Sequence, residues 1–125
     1  MTEKIRLLMV DDYPVVLSGL VAMFKNHEEI EVIGVANNGK KAIDLATTMH
    51  PHVILMNVAM PGMDGITLIR EVKKLPSCRF MPVLVMTTES QQAKRTEART
   101  AGATGWLVKP VKPEELLEVL KKLLP

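Results

Sequence analysis

The chain has 125 residues, 47% of them hydrophobic and 24% charged, and its 16 basic and 14 acidic side chains give a formal net charge of +2. That length holds one domain, residues 1–125, with room for a real core, and so even a charge balance offers no argument for a nucleic-acid or membrane partner. The single cysteine, Cys78, excludes an intramolecular disulfide and suits a reducing cytoplasm, the N-terminal Met1-Thr2-Glu3-Lys4 lacks the apolar region of a leader, and no apolar run approaches membrane-spanning length.

Ile5 to Val10 is a short, mostly apolar run that ends at Asp11-Asp12, as expected of a buried strand with two carboxylates at its carboxyl end. Pro14 suits the first turn of a helix, in which Val16, Leu20, Met23 and Phe24 recur at helical spacing as one apolar stripe until about Lys25. Ile30 to Ala36 reads as a second strand. Asn37-Asn38-Gly39 is turn chemistry that can also cap a helix, and Ala42, Ile43, Ala46 and Met49 form that helix's inner face before His50-Pro51 stops it. Val53 to Met56, four apolar residues running into Asn57, predicts a third strand buried on both faces.

After a Met60-Pro61-Gly62 loop, Ile66, Ile69 and Val72 or Lys73 mark a third helix that stops near Pro76. Met81 to Met86 is a fourth strand ending in Thr87-Thr88. From Ser90 to Ala101 a fourth helix is so polar that only a thin alanine stripe remains, which predicts light packing and a largely solvent-facing surface. Gly102 is a C-cap, Thr104 to Val108 a fifth strand ending at Lys109-Pro110, and Pro113 opens a last helix with Leu116, Leu117, Leu120, Leu123 and Leu124 on its apolar face.

Strands alternating with helices in this way imply an α/β fold, a doubly wound parallel sheet with right-handed crossovers. Five βα units, (βα)5, in 125 residues fit the flavodoxin-like five-stranded sheet of order 2-1-3-4-5. Ligands of such sheets bind at the carboxyl ends of the strands. There the chain places Asp11-Asp12, Asn57, Thr87 and Lys109 at corresponding points of their units. Each has an ordinary structural explanation: Asp12 as a helix cap, Asn57 as a turn residue, Thr87 as a strand residue, Lys109 as a solvated charge. Together they suggest more. Adjacent carboxylates repel, a cost that a cation offsets; oxygen ligands in an incomplete cage suit Mg²⁺; and a hydroxyl and an ammonium can hold phosphoryl oxygens.

The sequence resembles the response-regulator receiver domains, close to the chemotaxis-type single-domain members. The matching residues are Asp11-Asp12, the run Met60-Pro61-Gly62-Met63-Asp64-Gly65, Thr87, Ala101-Gly102-Ala103 and Lys109-Pro110, five motifs in order over essentially the whole chain. Residues 5–65, with Asp-Asp-Tyr-Pro-Val-Val, look most like receivers of DNA-binding regulators, whereas Thr87-Thr88-Glu89-Ser90 and Gly102-Ala103-Thr104-Gly105-Trp106 look more like the chemotaxis branch. The resemblance implies that Asp12 ligates Mg²⁺ directly and Asp11 mostly through water, with the Ala59 carbonyl and residue 57 completing the metal set. It implies that Thr87 and Lys109 hold the phosphoryl oxygens and that the Lys109-Pro110 bond is cis. Trp106 stands where the family often carries an aromatic that swings inward, so Thr87 and Trp106 are the expected switch. The fourth helix, fifth strand and fifth helix form the expected output face.

One departure bears on activity. In the family, position 57 is Asp, whose carboxylate attacks phosphorus; Asn57 offers an uncharged carboxamide oxygen and a poor nucleophile, so the covalent step should fail and Mg²⁺ affinity should drop. Val111, where the family often has an aromatic, is a packing change. The expected function is a two-component receiver, not an enzyme, that would take a phosphoryl group from a histidine kinase and signal to a protein partner, as a monomer or weak dimer in the cytoplasm. The intact residues around Asn57 favour an engineered Asp→Asn form of an ordinary receiver. The alternatives are a natural pseudo-receiver that binds proteins independently of phosphate, a receiver excised from a DNA-binding regulator, and, least of all, a phosphate hydrolase using Asp11 or Asp12. No helix-turn-helix lies within these residues, so the expectation is no nucleic-acid binding by this domain alone.

Overall fold

The computed structural model describes residues 4–25, 27–57, 59–60, 63–87, 92–109 and 111–123. The Met60-Pro61-Gly62 loop, Thr88 to Gln91, the Lys109-Pro110 bond and Leu124 therefore fall wholly or partly outside the described residues.

The elements run β1 (Ile5–Val10), α1 (Pro14–Phe24), β2 (Ile30–Ala36), α2 (Gly39–Met49), β3 (Val53–Asn57), β4 (Ala59–Met60), β5 (Met63–Asp64), α3 (Gly65–Lys74), a 3₁₀ turn (Pro76–Cys78), β6 (Val83–Thr87), α4 (Gln92–Ala101), β7 (Gly105–Val108) and α5 (Pro113–Leu123). Five strands form one sheet in the order β2-β1-β3-β6-β7, which is 2-1-3-4-5 counted along the chain. Every neighbouring pair is parallel. Strands of this kind must be covered on both faces, and all five residues of β3 and of β6 are buried.

The period of two divides the strands between two apolar layers. Leu8, Val10, Ile54, Met56, Val83 and Val85 face the helices α2, α3 and α4, through Ala42, Ala46, Ile66, Leu68, Ile69, Val72 and Ala98. Leu7, Met9, Val53, Leu55, Leu84, Met86 and Leu107 face α1 and α5, through Leu17, Leu20, Phe24, Leu116 and Leu120. The chain leaves β1 towards β2 on one side and returns past β1 to β3 on the other. Such a reversal opens a crevice between the carboxyl ends of β1 and β3.

The helix ends follow local chemistry. The Asn38 carboxamide oxygen accepts from Lys41 N at 2.8 Å and caps α2. At the other end of α2, His50 takes a left-handed conformation, φ 50°, rather than the extended one favoured before proline. Arg6 reaches across to donate to the carbonyls of Met49 and His50 at 2.6 and 3.0 Å, a cation where the helix dipole favours one. Gly102 ends α4 at φ 122°, with Ala103 N donating to Ala98 O at 2.9 Å in the manner of a Schellman turn.

Two sequence expectations and one alternative explanation are corrected. The buried stripe of α1 is Leu17, Leu20 and Phe24, while Val16 and Met23 are 38% and 43% exposed. Every residue from Pro14 to Phe24 is uncharged, so the sequence holds no polar face to set the helix's phase. The cap residue of α1 is Tyr13, without a side-chain bond, so Asp12 is not the cap. And the segment after β3 is no simple loop: Ala59 pairs with Asp64 and Met60 with Met63 in an antiparallel hairpin.

Candidate functional site

The sheet register sets out the strand-end residues as a staircase. Val10 lies level with Met56, so Asp11 follows β1 at the level of Asn57. Asn57 lies level with Met86, and Thr87 with Val108, so Thr87 stands one residue and Lys109 two residues beyond Asn57's level. Lys109 is tied there by its backbone N–H, which donates to Thr87 O at 2.8 Å. Alternation puts Asn57 on the face of Val53 and Leu55, and Thr87 on the opposite face with Val83 and Val85.

Asp11 is fully buried and Asn57 is 4% exposed. Asp11 Oδ1 accepts from Tyr13 N at 3.1 Å, an Asx turn that swings the chain from β1 into α1. Its other carboxylate oxygen, Oδ2, is buried without a hydrogen-bond partner. Burial pushes the Asp11 carboxyl above its ordinary range; the Tyr13 N–H, the Lys109 ammonium and the Asn57 side chain pull it back, and the Asp12 carboxylate adds to the rise. The first-named effect wins. The Lys109 ammonium, the Asn57 side chain and the Asp12 carboxylate are thus the side chains that act on Asp11.

Thr87, also fully buried, is engaged elsewhere. Its Oγ1 accepts from Arg95 Nε of α4 at 3.2 Å. Arg95 was missed at the sequence level because a polar helix offers no apolar clue to which arginine turns inward. The Arg95 and Arg99 guanidiniums lie 5.8 and 5.6 Å from the centre of the Trp106 ring, which is 36% exposed. Ala59 lies in β4, at the rim of the hairpin that follows Asn57.

A divalent cation fits this donor set. The orphaned Asp11 Oδ2 is an oxygen that only a cation or a donor can satisfy, and Asp12, the amide oxygen of Asn57 and a backbone carbonyl are hard oxygen donors of the type Mg²⁺ takes. Among the described residues no group of three or more His, Cys, Asp or Glu could hold a metal, so any cage here needs neutral oxygens and water.

A parallel sheet of this order is the doubly wound α/β architecture, and the family is given by the sequence: the response regulator receiver domain profile matches residues 7–121, and the chain belongs to that family. It is a receiver domain of a two-component system. Among its relatives, Protein PilH of Pseudomonas aeruginosa is 34% identical over 119 residues, covering 95% of this chain and 97% of PilH. The nitrate/nitrite response regulator protein NarL of Escherichia coli is 34% identical over 119 residues, covering 94% of this chain and 54% of NarL, so the chain spans about half of that regulator's length. The solved structure of the chemotaxis response regulator CheY4 of Vibrio cholerae superimposes with a TM-score of 0.82 at 34% identity, covering 98% of this chain and all of CheY4. Receiver domains bind Mg²⁺ at their acidic pocket and act as signalling modules. Among the described residues, no helix is long and apolar enough to cross a membrane.

Proposed function

We propose that residues 1–125 form one receiver whose phosphoryl-acceptor position is residue 57, and that Asn57 blocks the transfer. The observation that carries this reading is the buried Asp11 carboxylate, with one orphaned oxygen, held beside Asn57 and Lys109 at the carboxyl edge. With Asp at 57, a carboxylate oxygen would form a bond to phosphorus in line with the breaking P–N bond of a kinase phosphohistidine, and the departing imidazole would take a proton. The Asn57 carboxamide has its lone pair delocalised and no charge to give, so the bond does not form. Lys109 supplies a positive charge for the phosphoryl oxygens, and Thr87 a hydroxyl when turned towards the pocket. Asp11, Asp12, the Asn57 amide oxygen and the Ala59 carbonyl would hold Mg²⁺. The ion's chemistry is to neutralise charge on the phosphoryl oxygens.

The intact neighbours of Asn57 favour an Asp→Asn replacement in an ordinary receiver over a pseudo-receiver, since a pocket no longer used for phosphate has no need of Asp11, Asp12 and Lys109 together. The input partner is then a histidine kinase and the setting the cytoplasm. The output face is α4, β7 and α5, where Trp106 and Val108 are 36% and 37% exposed beside the arginines of α4. Its partner is a protein, and the likeness to the chemotaxis response regulator CheY4 favours a chemotaxis-type context over DNA binding by this domain.

Mg²⁺ titration followed by thermal unfolding tests the pocket. The chain should bind weakly, Asn57→Asp should bind about tenfold or more tightly because one negative charge is restored, and Asp11→Asn should lose binding. Equal affinity in all three would remove the pocket from consideration.

A further inference from the structure

Helix α1, the edge strand β2 and the first turn of α2 enclose an open groove of about 510 Å³, the size of a small-ligand site. Leu17 and Val21, one turn apart on α1, and Val35 of β2 give it apolar walls. Val21 and Val35 are only partly buried, so their outer surfaces meet solvent there. The groove follows α1 from Pro14 to Lys25, a length of about 16 Å. Its charged residues are Lys25 and Lys41, both exposed, and none of its lining residues is acidic.

The two ends of the groove differ in chemistry. Asp11 N donates to Ala36 O at 3.1 Å, so the backbone of Ala36 faces β1. By alternation the N–H and C=O of Val35 face the free edge of the sheet. Asn37 Oδ1 accepts from Asn38 Nδ2 at 3.1 Å, which leaves the Asn37 amide nitrogen as a donor. With the Lys41 ammonium close by, this end offers donors and positive charge to an anion. Beyond it the walls are apolar as far as Lys25, whose stem can cover a hydrocarbon while its ammonium stays in water.

We propose that this groove binds a small amphiphilic anion, its acidic head at Lys41 and Asn37 and its apolar tail along Leu17, Val21 and Val35. Charge complementarity selects the head, since two cations face the ligand and no carboxylate opposes it. An extended peptide added to β2 is served less well. The pairing with β1 passes from Val32 to Gly34 and skips Ile33, and such a bulge breaks the run of edge groups that a strand would need. Neither Asp11 nor Asn57 lines the groove, so it is separate from the carboxylate pocket and independent of residue 57.

Anilinonaphthalene sulfonate, an aryl anion whose emission rises in apolar surroundings, is the probe. Its binding to the chain as it stands should saturate at one site per chain and be reversed by dodecanoate below its micelle concentration. Dodecyltrimethylammonium, with the same tail and the opposite charge, should displace it about tenfold less well. Ser18 and Ala22 are exposed lining positions on α1. Ser18→Trp, which fills the groove, and Ala22→Glu, which sets a carboxylate in it, should each abolish binding with circular dichroism and Tm unchanged. Lys41→Glu should weaken binding about tenfold, and Lys25→Met, which keeps the apolar stem, about twofold or less. No saturable binding, binding that survives either Ser18→Trp or Ala22→Glu in folded form, or equal displacement by the two amphiphiles overturns the proposal. A larger loss from Lys25→Met than from Lys41→Glu overturns the placing of the head.

Discussion

Asp11 is fully buried with one oxygen unpartnered and a second carboxylate next in sequence, so ionising it costs folding free energy. Burial raises its pKa above the ordinary 3.8, which means the folded chain holds the proton more tightly than the unfolded chain. The contribution to stability is therefore most favourable below the unfolded value and is lost as pH rises through the folded one. Asp11→Asn should stabilise the chain at pH 7, because it removes a buried charge while keeping the side-chain oxygen of the Asx turn, and by much less near pH 3, as read from urea unfolding at the two pH values. Mg²⁺ should raise the Tm of the parent chain and leave that of Asp11→Asn unmoved, because an ion bound only to the folded form stabilises in proportion to its occupancy. The proposed site's residues were picked at this scale from chain position alone: Asn57 and Thr87 end β3 and β6, and Asp11 and Lys109 directly follow β1 and β7. Which partner Thr87 takes was not legible, because a hydroxyl bond to Arg95 depends on the packing of α4 and leaves no periodic trace.

The elements are bounded by residues whose roles are separable. The Asn38 cap on α2, a 2.8 Å bond to Lys41 N, was readable from Asn37-Asn38-Gly39, and Asn38→Ala should cost about 1 kcal/mol, measured as a shift of the urea midpoint at constant slope. Gly102 was readable as a C-cap, but its second constraint is tertiary: a Cβ there would meet Lys73 Cγ at 3.0 Å, on top of a φ of 122°. Gly102→Ala should therefore destabilise by about 1–3 kcal/mol, more than a cap preference alone explains; a loss of a few tenths would show that the Lys73 stem yields freely. In α1 the sequence misled by one residue of phase. Position within an apolar helix is set by the sheet beneath it, through Leu7, Met9 and Leu55, and no charged residue marks the outer side. The hairpin of β4 and β5 was hidden for a different reason: two residues per strand are too few to show a period.

Across the whole molecule, the alternation of apolar runs with helical stripes was enough for the fold class, because a strand buried on both faces has few alternatives. The strand order was supplied by the flavodoxin-like pattern and is the one observed. The two core layers serve the pocket by fixing β1 and β3 in register, so that Asp11 and Asn57 meet at one level beside the crevice where the winding reverses. In the proposed function, phosphoryl transfer turns on one atom, the oxygen that Asn57 lacks. The direct measurement is intact-protein mass spectrometry after incubation with acetyl phosphate and Mg²⁺, with the modified residue located by fragmentation. The account predicts no adduct on the chain as it stands and a single phosphoryl group on residue 57 of Asn57→Asp. Phosphorylation of the parent chain, or an Asn57→Asp variant that stays unmodified, would contradict it.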